Sequence, residues 1–438
     1  MASEAMVADL VRTARGLAAE AGGGTCLQLY LAGQRSRARP HDAAQPGRWR
    51  QELRPFVSAA SRGRQAYVRC DGMDPSALRA AAELALAVLP GAPAAGHRCA
   101  GAAAPEQALA APARGGTAAA PGPGEGAGVP EVGGLGPAAS AAWHELRTFG
   151  VYVSSCGVVR SFLRGHAGLC VAYAEGEGFT VARYAPEGTA IDWPGLAAEA
   201  ALRLARRPPR RPATAPGGTA GGYRAAPVLL TPTATAKLLG AIRPRDVAPA
   251  PGGHGRAARL RDEPDLPAGL QPAPFGADGR PARPLDLVAA DSLAAGGAAP
   301  PATAPTAGAA ARAALTSRWL EDQAGPTPAL TNLRLEAAAQ GAAAVAAELD
   351  EAVVVHDLVA VGTQHLRLGH GIRCRAVASE LRAGEVARAL PDAVVRVSPG
   401  RLLEGVISAD PPATFLPGDV STGGSWALLD PASFPLPA

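Results

Sequence analysis

The sequence predicts an α+β protein of two domains: an N-terminal domain with an antiparallel sheet, and a C-terminal domain of mostly antiparallel strands with flanking helices. Three observations support this prediction. The 438 residues exceed what one hydrophobic core usually organises. Segments with the apolar period of a strand follow one another at hairpin distances. A Pro- and Gly-rich stretch, residues 208–222, interrupts the chain near its middle.

The predicted boundaries follow the shifts in composition along the chain. Residues 1–90 and 141–207 form the N-terminal domain, and the Ala-, Gly- and Pro-rich residues 91–140 form a low-complexity loop within it. Residues 208–222 are the linker, and residues 223–438 form the C-terminal domain. Gly and Pro together make up about a fifth of the chain, which is typical of long loops.

Apolar periodicity and capping residues predict the elements of the N-terminal domain. In segment 25–32, three leucines alternate with Gln28 and Tyr30, so a strand would bury the leucines on one face. Asp74-Pro75-Ser76 can cap a helix. In chain order, the predictions are a helix over 5–20, strands over 25–32 and 65–70, a helix over 76–89, a meander of strands over 143–155, 158–176 and 178–185, and a helix over 193–207.

The same criteria predict fewer elements per residue in the C-terminal domain, because residues 243–330 are rich in Pro and Gly. The predictions are a strand over 226–232, a helix over 231–242, strands over 283–289 and 331–337, a helix running into a strand over 342–358, and a hairpin over 365–388 that turns near 382–385.

Composition and charge argue against several classes of function. The net charge of +4 is small and nothing resembles a basic arm or stripe that would track phosphates, so nucleic-acid binding is not expected. No run of about 18 apolar residues could span a membrane, and the acidic, amphipathic residues 5–20 do not form a signal peptide. The six cysteines form no CxxC pair, which favours free thiols in the reducing cytoplasm.

A zinc peptidase helix carries two histidines one turn apart with a glutamate between them, and no segment of this chain does. His365, His370 and Cys374 form a loose alternative set of ligands. Residues 365 and 370 would point to opposite faces of one predicted strand, which argues against a metal site there. The residues themselves therefore predict no catalytic, cofactor-binding or metal-ligating position in this chain.

Other patterns that could indicate chemistry have simpler structural interpretations. Ser154-Ser155-Cys156-Gly157 is interpreted as a turn between strands with a small buried cysteine, not as a nucleophile. The Gly-rich segments 218–222 and 251–255 lack the Lys-Ser/Thr of a phosphate loop and are interpreted as linkers. The acidic cluster at 262–265 is interrupted by proline, which by itself indicates a solvated turn.

A longer pattern that contains this acidic cluster suggests a different interpretation of it. Segment 258–288 resembles a signature of the TldD/PmbA peptidase family, in which an Asp-Asp-Pro-Thr-Leu-Pro-Gly-Gly-like stretch precedes a Pro-Phe-Asp-Asp-Glu-Gly-like stretch. The matching residues are Asp262, Pro264, Leu266, Pro267, Gly269, Leu270, Pro274, Phe275, Asp278, Gly279, Pro281 and Arg283. Segments 223–242, 331–337 and 353–388 are also similar to segments of that family.

The resemblance implies one subunit of a two-chain enzyme. The zinc-bearing subunit of the family has a His-Glu-x-x-x-His helix just after the strand that corresponds to 226–232, and here Pro232-Thr233-Ala234-Thr235-Ala236-Lys237 stands in that place. That pattern is similar to the TldE/PmbA-like subunit, which lacks the zinc motif.

The resemblance therefore implies a heterodimer in which a TldD-like partner supplies zinc and hydrolyses an amide in a small peptide or natural-product intermediate, as in antibiotic biosynthesis. Two alternatives stay open: a non-catalytic scaffold or binding homodimer, and a stand-alone metal hydrolase that uses His365, His370 and Cys374.

Overall fold

The computed structural model describes residues 25–40, 50–92, 139–205, 225–243, 259–289 and 327–436, apart from 63, 73, 156–157, 174–178, 188, 337–340, 367–368, 413 and 419, together with a few residues between 12 and 19 and the short strands at 247–249 and 317–318. Among the described residues, no helix is long and apolar enough to cross a membrane.

The described helices and strands follow one another in the order predicted, with several additional strands. The helices are α1 (Pro75–Val88), α2 (Trp193–Ala205), α3 (Pro232–Gly240), α4 (Ala342–Ala347) and α5 (Pro399–Glu404). The first strands are β1 (Cys26–Pro40), β2 (Arg50–Ser61), β3 (Arg64–Arg69), β4 (Ala139–Ser154), β5 (Val159–Tyr173) and β6 (Phe179–Pro186).

The remaining strands all follow α2 in the chain. They are β7 (Val228–Leu230), β8 (Val247–Pro249), β9 (Arg259–Asp262), β10 (Leu285–Ala289), β11 (Ser317–Arg318), β12 (Thr327–Pro328), β13 (Asn332–Glu336), β14 (Glu351–Leu366), β15 (Gly369–Arg382), β16 (Glu385–Ala389), β17 (Ala393–Val397), β18 (Val406–Ala409), β19 (Thr414–Leu416), β20 (Ser421–Gly424) and β21 (Ala427–Leu429).

The first six strands form one antiparallel sheet in the order β3-β2-β1-β4-β5-β6. Helices α1 and α2 cover one face of it, and the leucines of β1 pack there with α1 as predicted. The Asp74 carboxylate caps α1 by accepting hydrogen bonds from the backbone N–H groups of Ser76 and Ala77. The other face is also buried, because residues from the second half of the chain cover it.

The second half of the chain builds two main sheets, one of six strands and one of seven. One has the order β16-β15-β14-β7-β21-β18 with β17 also paired to β15, and the other has the order β19-β20-β13-β9-β10-β8. Both are mixed, since β14 is parallel to β7 and β13 is parallel to β20. Helix α3 packs against β14 of one sheet and β20 of the other, so its apolar residues lie in a core that both sheets share.

The structure confirms three of the predictions. They are the α+β class, the meander of β4, β5 and β6, and the helix that follows β7. Two local predictions need correction. Strand β2 was missed, because segment 50–61 mixes charged residues with Pro55 and lacks a clean alternation. Leu366 of β14 pairs with Gly369 of β15 in an antiparallel ladder, so β14 and β15 form a hairpin in place of one strand.

The predicted loop 91–140 and linker 208–222 fall almost entirely outside the described residues, so the division into two domains stays a proposal. Much of the predicted helix over 5–20 is also outside them, and the described residues from Arg12 to Ala19 are helical.

Candidate functional site

A cleft of about 620 Å³ lies where the edge strand β6 of the first sheet meets α3 and the two sheets of the second half. This volume is in the range of small-molecule sites. Its walls come from β5 and β6, α3, β14, and the segment around β19 and β20. The lining residues are Cys170, Thr180, Ala182, Tyr184, Thr233, Ala236, Lys237, Gly240, Ala241, Arg243, Leu358, Val359, Val361, Gly362, Leu416, Pro417, Gly418, Val420 and Thr422.

Helix α3 brings the only lysine of the chain to this cleft. Its N-cap is Thr231, whose Oγ1 atom accepts a hydrogen bond from the Ala234 N–H and donates one of 2.8 Å to the His356 carbonyl. Residues 233, 236, 237 and 240 lie on one face of the helix, because they are three or four positions apart. The Lys237 ammonium donates a 2.6 Å hydrogen bond to the Asp357 carboxylate.

Strand β14 is irregular where it passes the cleft. Val355 and Asp357 pair with successive residues of β15, so His356 is an extra residue in the ladder. A second register shift follows between Val359 and Gly362. Bulges change the direction of side chains and are common next to functional sites. The first bulge brings Asp357 to Lys237, and the stretch between the two shifts forms a wall of the cleft.

A buried ion pair supports the cleft from the side of the first sheet. Arg183 of β6 and Glu199 of α2 form an ion pair at 2.8 Å, and both side chains are almost fully buried. Thr233 donates a 2.6 Å hydrogen bond from Oγ1 to Oε1 of the same glutamate. This contact holds α3 against the first sheet and fixes the position of the helix face that lines the cleft.

The signature residues of segment 258–288 lie away from this cleft and build a loop. The Asp262 carboxylate is buried and accepts hydrogen bonds from the Thr331 N–H, the Thr331 hydroxyl and the Asn332 N–H. The Asn332 side-chain amide donates to the carbonyls of Glu263 and Gln271 and accepts from the Gln271 N–H. Asp262 is thus a structural anchor and not the solvated residue that the local sequence suggests.

The same loop docks on the buried face of the first sheet. Phe275 packs edge to face against Phe162, with ring centroids 5.5 Å apart. Gly279 has a φ of +77° and lies against Tyr152, whose ring an added Cβ would overlap. The Arg160 guanidinium donates a 2.7 Å hydrogen bond to the Gly279 carbonyl. The matching residues therefore join the two halves of the chain.

His166 makes a further contact between the two halves. Its Nε2 atom lies 3.1 Å from the Pro267 carbonyl oxygen. Because a carbonyl only accepts, this ring nitrogen carries the hydrogen. Burial lowers the pKa of His166, the Pro267 hydrogen bond raises it by a smaller amount, and the nearby Arg164 charge lowers it further.

Similarity to solved structures covers nearly the whole chain. The crystal structure of TldE from Thermococcus kodakarensis superposes with a TM-score of 0.61 and 13% identity over 99% of this chain and 100% of that one. Proteins described as modulators of DNA gyrase match at a TM-score of 0.54, with 14% identity for that of Thermotoga maritima and 12% for that of Bacteroides thetaiotaomicron. These matches cover 98% of this chain and 98% and 100% of the other two, respectively.

The chain has the TldD/PmbA fold. No protein-family model matches the sequence, and no curated protein matches it significantly.

The TldD/PmbA fold raises the question of zinc, and the described residues of this chain do not fit that metal. The cleft is lined by threonines, Lys237, Arg243, Tyr184 and Cys170, with no histidine or carboxylate among them. The described part of the chain holds no group of three or more His, Cys, Asp or Glu side chains placed to bind a metal ion. Zinc sites use thiolate, imidazole and carboxylate ligands.

The alternative set His365, His370 and Cys374 has a different geometry from the one expected. His365 and His370 are backbone partners across the β14–β15 hairpin, so the argument that placed them on one strand was wrong; their side chains lie outside the described residues. Cys374 is buried in the apolar core, and burial raises the pKa of its thiol to about 12. Metal binding requires a thiolate, which this environment disfavours.

The predicted turn at residues 154–157 lies partly outside the described residues, because Cys156 and Gly157 are not described. The Ser155 hydroxyl oxygen accepts a hydrogen bond from the Leu27 N–H, and the Ser154 hydroxyl oxygen accepts one from the Val158 N–H. Both hydroxyl groups therefore bind nearby backbone groups. The sequence analysis missed the cleft residues Thr233 and Lys237 as a site. The absence of lysine from the rest of the chain was the one signal that could have singled out Lys237.

Proposed function

We propose that this chain is the TldE/PmbA-like, non-zinc subunit of a heterodimeric metallopeptidase or amidase. The observation that supports this proposal most strongly is the likeness to TldE over almost the full length of both chains. Helix α3 adds to it, because Thr233 and Lys237 occupy the stretch where the zinc-bearing subunits of the family carry His-Glu-x-x-x-His. Neither a threonine hydroxyl nor a paired ammonium replaces those zinc ligands.

In this proposal the zinc-bearing TldD-like partner provides the zinc, and the complex hydrolyses an amide bond in a small peptide or a natural-product intermediate. This chain completes the enclosure around the substrate and excludes water. The four described cysteines are free thiols, which is consistent with a cytoplasmic enzyme.

Co-expression with a zinc-bearing relative tests the proposal. The two chains are expected to co-elute as a 1:1 complex that cleaves members of a synthetic pentapeptide mixture, with cleavage followed by mass spectrometry. Each chain alone should be inactive on the same mixture. A partner whose motif glutamate is replaced by glutamine is the matched control, since it should form the complex without cleaving.

Other outcomes would support the alternatives. Full cleavage by the partner alone would contradict a role for this chain. A self-associated species that ignores the partner on size exclusion would favour the scaffold homodimer. Metal analysis of the purified chain tests the stand-alone hydrolase: that alternative requires close to one equivalent of zinc, and we expect background on the order of a tenth of an equivalent or less.

A further inference from the structure

We propose that the cleft beside α3 binds an apolar small molecule or short peptide through a single carboxylate, with Lys237 as the anion-binding group. This inference concerns the chain itself and does not depend on the zinc-bearing partner. It rests on the charge of the cleft, the apolar character of its walls and the way in which Lys237 is held.

The charged side chains that line the cleft have one sign. Lys237 and Arg243 are both cationic, and none of the described lining residues is acidic. The nearest carboxylate is that of Asp357, which is buried behind Lys237 and pairs with it. The Lys237 side chain lines the cleft and is 37% exposed, and its ammonium is paired with the buried Asp357 carboxylate.

An ammonium has three N–H donors, and the contact with Asp357 uses one of them. A ligand carboxylate could accept another without displacing Asp357. The bulge at His356 creates this arrangement, because it places Asp357 on the side of β14 that reaches α3. The anion-binding group is therefore positioned before any ligand arrives, which reduces the entropic cost of binding.

The walls around this group are mostly apolar. Ala236 of α3, Leu358, Val359 and Val361 of β14, and Leu416 and Val420 near β19 and β20 supply aliphatic surface. Thr180 and Thr422 add hydroxyl groups. Apolar walls with a few polar groups suit a ligand that has one charge and an aliphatic body. A phosphate dianion would need more donors than one shared ammonium and one guanidinium supply.

Isothermal titration calorimetry of the full chain with N-acetyl-leucyl-leucine tests the proposal. The C-terminal amide of the same compound is the control, since it lacks the negative charge. The acid is expected to bind with a dissociation constant below about 1 mM and at least roughly tenfold more tightly than the amide, because one charge-assisted hydrogen bond is worth that factor. Equal affinity of the two compounds, or no saturable binding of the acid, would overturn the proposal.

Two variants locate the binding within the chain. Lys237→Met should remove the preference for the acid, and Arg401→Met, which removes an exposed cation far from the cleft, should keep it. Gly240→Leu should weaken binding of both compounds by about tenfold or more, because it fills a site of ordinary size. A Cβ at Gly240 meets only the Thr422 methyl group, at 3.8 Å, so this variant does not depend on tolerance of an unpaired Asp357.

Gly91→Leu is the control for the second variant, since a Cβ at Gly91 meets nothing within 4 Å and the residue is remote from the cleft. Unchanged binding in a folded Gly240→Leu protein would contradict the site, whatever Lys237→Met does. Loss of binding in Gly240→Leu with an intact 1:1 complex would support the site and leave the heterodimer proposal standing. Selective binding of the acid by a parent chain that forms no complex with the partner would support the site and contradict the heterodimer proposal.

Discussion

Thr233 Oγ1 donates a 2.6 Å hydrogen bond to Glu199 Oε1, and this contact connects helix α3 of the second half of the chain to helix α2 of the first. Arg183 balances the charge of the glutamate at 2.8 Å in a site that is closed to solvent. A buried charge is tolerated only when it is paired and hydrogen-bonded, so these three residues act together.

Arg183→Met is expected to lower the free energy of unfolding by about 3–5 kcal/mol, because it leaves the buried Glu199 carboxylate without the charge of its arginine partner. Thr233→Val should cost about 1–2 kcal/mol, the value of one hydrogen bond to a charged group. Urea denaturation measures both.

Arg147→Met is the control for this pair, since Arg147 and Glu187 form an ion pair at the surface. Its expected cost is below about 1 kcal/mol. If Arg183→Met costs no more than this control, the buried Glu199 charge does not depend on Arg183 for its stabilisation.

The buried Asp262 carboxylate should be essential for stability. Asp262→Ala removes the acceptor of three hydrogen bonds and leaves the Thr331 and Asn332 donors without it, so we expect a loss of about 3 kcal/mol or more in the free energy of unfolding. Asp265→Ala, in the same acidic cluster but exposed and paired only with Arg164, should cost less than about 1 kcal/mol. Equal effects of the two substitutions would contradict the structural role.

Gly279 should tolerate no side chain. Gly279→Ala forces a residue with Cβ into the left-handed region and against the Tyr152 ring, so we expect a loss of about 2 kcal/mol or more. Gly240→Ala, in a helix with open space beside it, should be neutral or stabilise by up to about 1 kcal/mol. Thermal unfolding by calorimetry compares the two, and a destabilising Gly240→Ala with a neutral Gly279→Ala would refute this account.

The contact of His166 should make stability depend on pH. Because burial lowers the pKa of His166 in the folded state, the unfolded chain binds its proton first as the pH falls. The contribution of this residue is therefore fully present above a pH of about 6.5, the ordinary pKa of histidine, and is lost as the pH falls from there towards the lowered folded pKa.

His166→Gln tests this effect, because its amide can still donate to the Pro267 carbonyl. The variant should lose less stability than the parent between about pH 6.5 and pH 5 in parallel urea titrations. His144, whose pKa is also lowered by burial, titrates in both proteins, so the difference isolates His166. The neighbouring charges of Arg164 and Asp265 are present in the parent and in the variant, so they do not account for the difference between the two pH profiles. Identical pH profiles would contradict the prediction.

Local patterns predicted many of the regular elements of the chain. The alternation of leucines in β1, the Asp74 cap of α1 and the spacing of β4, β5 and β6 each depend on residues close in sequence. Strand β2 was not predicted, because its charged and apolar residues do not alternate, although both of its neighbours in the sheet are regular strands. Hydrogen bonding to β1 and β3 stabilises this segment as a strand, although its own sequence lacks the alternation that predicts one.

The candidate site could not be predicted in the same way. Lys237 meets Asp357 across 120 positions, and Glu199 meets Thr233 across a stretch that includes the proposed linker. Nothing in the neighbourhood of either residue indicates its partner. The hairpin that opposes His365 and His370 was missed for a related reason, since the local pattern of residues around them predicts one extended segment.

The α+β class, the order of many elements and, through the residues of segment 258–288, the resemblance to the TldD/PmbA family can all be obtained from the amino-acid sequence. They can, because apolar period, helix caps and turn residues act within a few positions of one another. Three features are visible only once the chain is folded: the anchoring role of Asp262, the covering of both faces of the first sheet and the position of Lys237 in the wall of a cleft. Burial and pairing are properties of residues brought together from distant parts of the chain, and no local pattern records them.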